Sequence, residues 1–182
     1  GGFGPSSRKW GMTIDSIVEA DVVLADGSVV TTNKQSNPEL LWALKGAGHF
    51  FGIVTRFRFE TKDASSPMTF LEYKWTKSLT GPSDLVKIIN AIQKWVSAPD
   101  FPAEIGFHTQ LGPASRLDIP AGWNPTKEQF TFHLRGMALN PSDKYKPWSD
   151  KLHDLLVAQD ALEPDFWAEK QVDWFQLQEM WD

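Results

Sequence analysis

From Ile17 onward the apolar residues fall into short runs whose spacing alternates between two and three to four. In DSIVEADVVLADGSVVTT, Val22, Val23 and Leu24 precede Asp26-Gly27, and Val29, Val30 and Thr31 follow it. Asp-Gly supplies the positive φ of a two-residue turn, so the pattern predicts two antiparallel strands joined there. NPELLWALKG reads as a short helix with Asn37 as N-cap, Pro38 at the first helical position and Glu39 against the dipole. Leu40, Leu41 and Leu44 form its apolar stripe, and Gly46 is its expected left-handed stop. In IVTRFRFET the alternation places Ile53, Thr55, Phe57 and Phe59 on one face and Arg56, Arg58 and Glu60 on the other, a half-buried strand.

The polar, turn-rich segment 62–67 is the expected domain boundary, separating residues 1–61 from residues 68–182. Beyond it the pattern predicts strands over 68–76, 104–112, 128–137 and 166–172 and helices over 83–97 and 142–158, with Pro147 limiting the first turn of the second helix. Leu85, Ile88, Ile89, Ile92 and Trp95 form the stripe of the first helix, and Phe130, Phe132 and Leu134 one side of the third strand. The order β-α-β-β-α-β is the split βαβ arrangement, an antiparallel sheet with helices on one face, and the fold class is α+β. DWFQLQEMWD at the end reads as the start of another helix, and a chain that begins on a glycine run without an initiator Met reads as an internal piece.

The 182 residues suffice for one good core or two small ones. A net charge of −5 without Lys/Arg clusters argues against nucleic acid and against an anionic membrane surface. There is no cysteine, hence no disulfide and no thiolate nucleophile. The 9 Trp and 12 Phe are read mostly as core, although flat aromatic faces also stack on sugars and flavins.

Two glycine-rich stretches are the candidate chemistry: GGFGPSSRKWG at the start and GAGHFFGIV over 46–54. Gly1, Gly2 and Gly4 offer backbone that adopts positive φ and lies against a flat or anionic ligand, and Ser6 and Ser7 add hydroxyl donors. GGFGPSSRKWGMTIDSI, VVLADGSVVTT, NPELLWALKGAG and FGIVTRFRFET resemble, in order and spacing, the late flavin-domain segments of FAD-linked oxidases of the vanillyl-alcohol oxidase and berberine-bridge type, above all the fungal gluco- and chitooligosaccharide oxidases. The resemblance covers about sixty residues well, and the rest chiefly through element order and the strand PAEIGFHTQ. It implies that Gly1, Gly2, Phe3, Gly4, Ser6, Ser7, Gly11 and Ile53 line FAD, the last through its backbone. It also implies an extracellular carbohydrate oxidase that takes an oligosaccharide and O2, forming a lactone and hydrogen peroxide. Where many relatives carry Asn before Phe-Gly-Ile-Val, His49-Phe50-Phe51 stands here. In such enzymes the His and Cys that attach flavin covalently precede this stretch and the Tyr base follows it, so no catalytic residue is expected within these 182 positions. The rest of the same polypeptide is then the fragment's first partner.

On PAEIGFHTQ, Glu104, Gly106, His108 and Gln110 point one way and Ile105, Phe107, Thr109 and Leu111 the other. Gln110 is the best match to a family sugar contact, with His108 and Glu104 behind it; a solvated sheet face is the plain alternative. A metal site at His108 and His133 lacks the usual ligand spacing, and none is expected. His153 reads as surface. Asp15 and Arg8 orient the first glycine run or serve as ordinary turn residues, and Trp123 stacks on sugar or plugs a core edge. Two other functions stay open: an FAD-dependent oxidase or dehydrogenase of alcohols or plant metabolites, and a non-redox carbohydrate-binding or structural module.

Overall fold

The computed structural model describes residues 1–64, 67–76, 79–113 and 130–180. It divides into two compact units, Gly1–Asp63 and Ala64–Asp182.

The first unit contains a one-turn helix α1 (Ser7–Trp10), strands β1 (Ile17–Val23) and β2 (Val29–Asn33), helix α2 (Pro38–Ala47) and strand β3 (Ile53–Phe59). The sheet is antiparallel in the order β2-β1-β3. Its core is small: Ala20, Val22 and Leu44, with Leu24, Val30, Leu40 and Val54 packed around them.

Four local expectations change here. The hairpin turn has three residues, because Leu24 N–H donates to Ser28 O at 2.8 Å and Gly27 N–H to Leu24 O at 3.0 Å. Gly27, at φ 83°, takes the left-handed position that closes such a turn. Asn37 does not cap α2 with its side chain; it adopts φ 48° and its Nδ2 donates to Thr31 O at 3.0 Å, tying the helix start to β2. Gly46 lies inside the helix, which runs on to Ala47. Finally, the second of two register shifts in the β1/β3 ladder breaks the simple alternation of β3, while the first places its extra residue, Val18, on β1. Ile17, Ala20 and Val22 pair with Phe59, Phe57 and Val54 on the core side, whereas Ile53 pairs with Val23 on the other. Thr55 is the extra residue of the second bulge. Every residue of β3 except Val54 is exposed, so the strand is not half-buried within this unit. On the outer side Arg56 bridges Asp21 at 2.6 Å and Glu19 at 3.2 Å. Arg56, by hydrogen bond and charge, holds the Asp21 carboxyl below the usual carboxylate range.

The second unit has β4 (Met68–Trp75), α3 (Pro82–Val96), β5 (Ile105–Pro113), β6 (Phe130–Ala138), α4 (Ser142–Ala158), β7 (Phe166–Val172) and α5 (Trp174–Glu179). The sheet is antiparallel throughout in the order β5-β6-β4-β7, the split βαβ topology. Leu71, Tyr73 and Trp75 of β4, Phe132 and Leu134 of β6 and Ile105 of β5 form one buried face, covered by Ile88, Ile92 and Trp95 of α3 and Tyr145, Leu152 and Leu156 of α4. Phe130, expected on that face, is exposed. Helix α4 runs through Pro147. The carbonyl that loses its donor belongs to Asp143, which is exposed and open to hydration.

One polar knot sits under the helices. Tyr73 Oη lies 3.2 Å from both Tyr145 Oη and Ser149 Oγ and donates to Glu169 Oε1 at 2.6 Å; Ser149 Oγ donates to the same oxygen. Burial, with the Glu169 carboxylate beside it, pushes the Tyr73 hydroxyl well above the ordinary phenol range, so it stays a donor at any physiological pH. Trp75 Nε1–H donates to Leu162 O at 2.7 Å, which pins β4 to the segment between α4 and β7.

Two predictions follow from this packing. A Cβ at Gly52, where φ is 147°, would run into the Val23 carbonyl oxygen, whereas at Gly46 it would meet nothing within 4 Å. Gly52→Ala is expected to lose about 2–3 kcal/mol, and Gly46→Ala to gain about 0.5–1 kcal/mol; paired urea melts of the two variants check this. Tyr73→Phe leaves Glu169 short of a buried donor and Tyr145 short of a hydroxyl partner, and is expected to cost about 1–3 kcal/mol, read from the same melts against Tyr145→Phe.

Candidate functional site

The first glycine run folds back on itself. Thr13 N–H donates to Gly2 O and Ile14 N–H to Gly1 O, each at 3.2 Å. Gly2, at φ 72°, has no room for a Cβ because Thr13 fills that space, and Gly11, at φ 77°, faces the Asp15 carboxylate. Asp15 Oδ2 accepts the Met12 N–H at 2.8 Å, so Asp15 holds the run in shape. Two of the glycines therefore have internal reasons. Gly4 has none of that kind: a Cβ there would meet nothing within 4 Å. Its N–H donates to Ser7 Oγ at 2.9 Å, which leaves the Ser7 hydroxyl proton for another acceptor. Gly1, Gly2 and Phe3 are exposed, Phe3 at 86%.

The second stretch begins beside the first and ends away from it. Lys45 Nζ donates to Asp15 O at 3.3 Å, whereas Ile53 pairs with Val23 at the far end of β1. A seven-residue strand spans about 20 Å, so the two runs offer an elongated ligand contacts along its length rather than one point. Ile53 is 72% exposed on an edge strand, whose outward backbone groups are open to pairing. The rings of His49 and Phe50 lie against each other, tilted by 39° with centroids 4.1 Å apart, and both are exposed. Bare glycine backbone and the Ser6 and Ser7 hydroxyls are the kind of donors that could hold a flavin dinucleotide, and Phe3 and Ile53 add exposed apolar surface.

In the second unit the face of the sheet opposite α3 and α4 is polar at its centre. The ladder sets Gln110 across from His133 and His133 across from Lys74, and in the adjacent row His108 across from Arg135 and Arg135 across from Glu72. His108 and Gln110 are exposed, whereas Glu104 precedes β5 and is half-buried. Burial, and then the charges of His133 and Arg135, lower the His108 pKa. His133 Nε2 is 2.8 Å from Glu72 Oε1, and Lys74 Nζ is 3.3 Å from the same oxygen. Burial pushes the Glu72 carboxyl up, but the His133 hydrogen bond and the Lys74 charge outweigh it, and its pKa falls below the usual value. Glu72, Lys74 and Arg135 were invisible as site residues in sequence. Their alternation along β4 and β6 was readable, but the pairing that brings them beside Gln110 was not.

The two histidines do lie on paired strands, yet no group of three His, Cys, Asp or Glu side chains able to hold a metal exists among the described residues. His153 is half-buried, with Nδ1 3.0 Å from Glu163 Oε2 and its ring edge-on to Trp167. Trp123 lies outside the described residues. No described helix is long and apolar enough to cross a membrane.

No protein-family model matches the chain. It is 45% identical over 120 residues to the xylooligosaccharide oxidase of Thermothelomyces thermophilus, an alignment that covers 61% of this chain and 23% of that protein. Among solved structures it is similar to the BBE-like 1 protein of Physcomitrella patens, with a TM-score of 0.72 at 31% identity over 96% of this chain and 32% of that one. The xylooligosaccharide oxidase from Myceliophthora thermophila C1 in complex with xylobiose matches with a TM-score of 0.65 at 33% identity, over 96% of this chain and 32% of that one. The chain thus spans about a quarter to a third of the length of these relatives. Its homologues are the fungal xylo-, gluco- and chitooligosaccharide oxidases and the berberine-bridge-enzyme-like proteins, with which it shares an α+β fold.

Proposed function

We propose that this chain is part of an FAD-dependent oxidase that converts the anomeric C1 hydroxyl of an oligosaccharide to a lactone while O2 is reduced to H2O2. The observation that carries this reading is the 45% identity over 120 residues to a xylooligosaccharide oxidase. The bound xylobiose named for a structural neighbour supports an oligosaccharide as substrate. FAD, when bound, supplies the two-electron acceptor for the C1 oxidation.

The chain's own residues bind and orient. Gly1, Gly2, Phe3, Gly4, Ser6, Ser7 and Gly11 line the cofactor, with Gly4 leaving space where any side chain would intrude and Ser7 offering its hydroxyl proton to an anionic oxygen. Ile53 contributes edge-strand backbone. Gln110, with His108 in the adjacent row and Glu104 farther along, just before β5, meets sugar hydroxyls from the polar sheet face, each hydrogen bond exchanged for one to water and therefore selective more than strong. Covalent attachment of the flavin and an extracellular location belong to the reading through the family resemblance.

Oxygen uptake and peroxide release by the flavin-loaded protein, assayed with xylo-, cello- and chitooligosaccharides, are expected to show turnover with at least one series. Turnover of simple alcohols alone would favour the alcohol oxidase reading, and silence with every sugar would sink the carbohydrate assignment. Gly4→Leu is expected to fold normally, since its side chain enters open space, and to lower bound flavin several-fold, read as the flavin-to-protein absorbance ratio of the purified protein.

A further inference from the structure

The centre of the polar sheet face carries a row that crosses three strands: Lys74 on β4, His133 on β6 and Gln110 on β5. Beneath it Glu72 is held from two sides, by His133 Nε2 at 2.8 Å and by Lys74 Nζ at 3.3 Å, both on Oε1. The three side chains are largely enclosed, with His133 at 10%, Glu72 at 14% and Lys74 at 13% exposure. An ionised carboxylate only accepts hydrogen bonds, so the ring nitrogen facing it carries the proton. In a neutral imidazole the other nitrogen is then a lone-pair acceptor. On β5, the strand on the other side of β6, Gln110 stands directly across from His133, exposed, with an amide that both donates and accepts.

We infer that Glu72 and Lys74 fix His133 as the Nε2–H tautomer, so that Nδ1 and the Gln110 amide form an acceptor–donor pair for neighbouring hydroxyls of one sugar unit. The inference rests on the proposed role of Gln110 as a sugar contact and adds His133 as a second contact, with Glu72 and Lys74 as positioning residues.

The test uses the flavin-loaded protein with 15N-labelled histidine and xylobiose as the probe. Nitrogen NMR is expected to assign the proton of His133 to Nε2, to shift its Nδ1 resonance on addition of xylobiose, and to show a mixed tautomer in Glu72→Gln. In steady-state assays His133→Phe is expected to raise KM about 3- to 10-fold, the worth of one hydrogen bond, with kcat little changed, and His133→Gln, which keeps an acceptor, to recover most of that loss. A proton on Nδ1, a resonance indifferent to xylobiose, or an unchanged KM in His133→Phe would each overturn the inference while leaving the oxidase reading intact. If no sugar is turned over, the oxidase reading fails, and the xylobiose titration alone decides: a shifted Nδ1 supports the subsite and an unmoved one overturns it.

Discussion

Two helices laid across one face of a four-stranded antiparallel sheet are the constraint on which the larger unit depends. Strand alternation sends Leu71, Tyr73 and Trp75 into that layer, where they meet Ile88, Ile92 and Trp95 from α3 and Leu152 and Leu156 from α4. The same alternation sends Glu72 and Lys74 the other way, so the composition of the opposite face is set by what the core demands of its neighbours in sequence. A slip of one residue in the β4/β6 register would drive two charges under the helices and expel three large apolar side chains. The buried hydroxyl knot at Tyr73 adds direction to this packing, since its donors and acceptors match only in one register.

The smaller unit is organised by close approaches rather than by a large core. Gly52 lets β3 start against the Val23 carbonyl, and Gly2 and Gly11 make room for Thr13 and Asp15. These glycines shape the loops from inside. Gly4 is different, because nothing of the chain occupies the space beside it. A glycine-rich run is thus a mixture of residues that fold a loop and residues that leave a surface bare.

Much of this was legible in the sequence. The order of strands and helices in the larger unit follows from hydrophobic period alone, and β7 and α4 lie at their expected positions, because long amphipathic segments declare their faces. What the sequence did not disclose has specific causes. The face assignment of Ile53 failed because the bulge at Thr55 reverses the alternation of β3, and a bulge leaves no residue signature when it needs no glycine. Asn37 was expected to cap its helix but turned its side chain to Thr31, a choice made by the adjacent strand. Gln110 and His108 could be placed on a face by period, whereas the Glu72, His133 and Lys74 cluster depends on which strands pair, a property of topology rather than of spacing.

A crystal structure of the flavin-loaded protein with xylobiose measures at once where cofactor and sugar lie. FAD is expected against the backbone of Gly1–Gly4 and Ile53, and a sugar unit in hydrogen-bond contact with Gln110 on the polar sheet face. Flavin density remote from the open space at Gly4, or xylobiose bound with that sheet face empty, would contradict this placement.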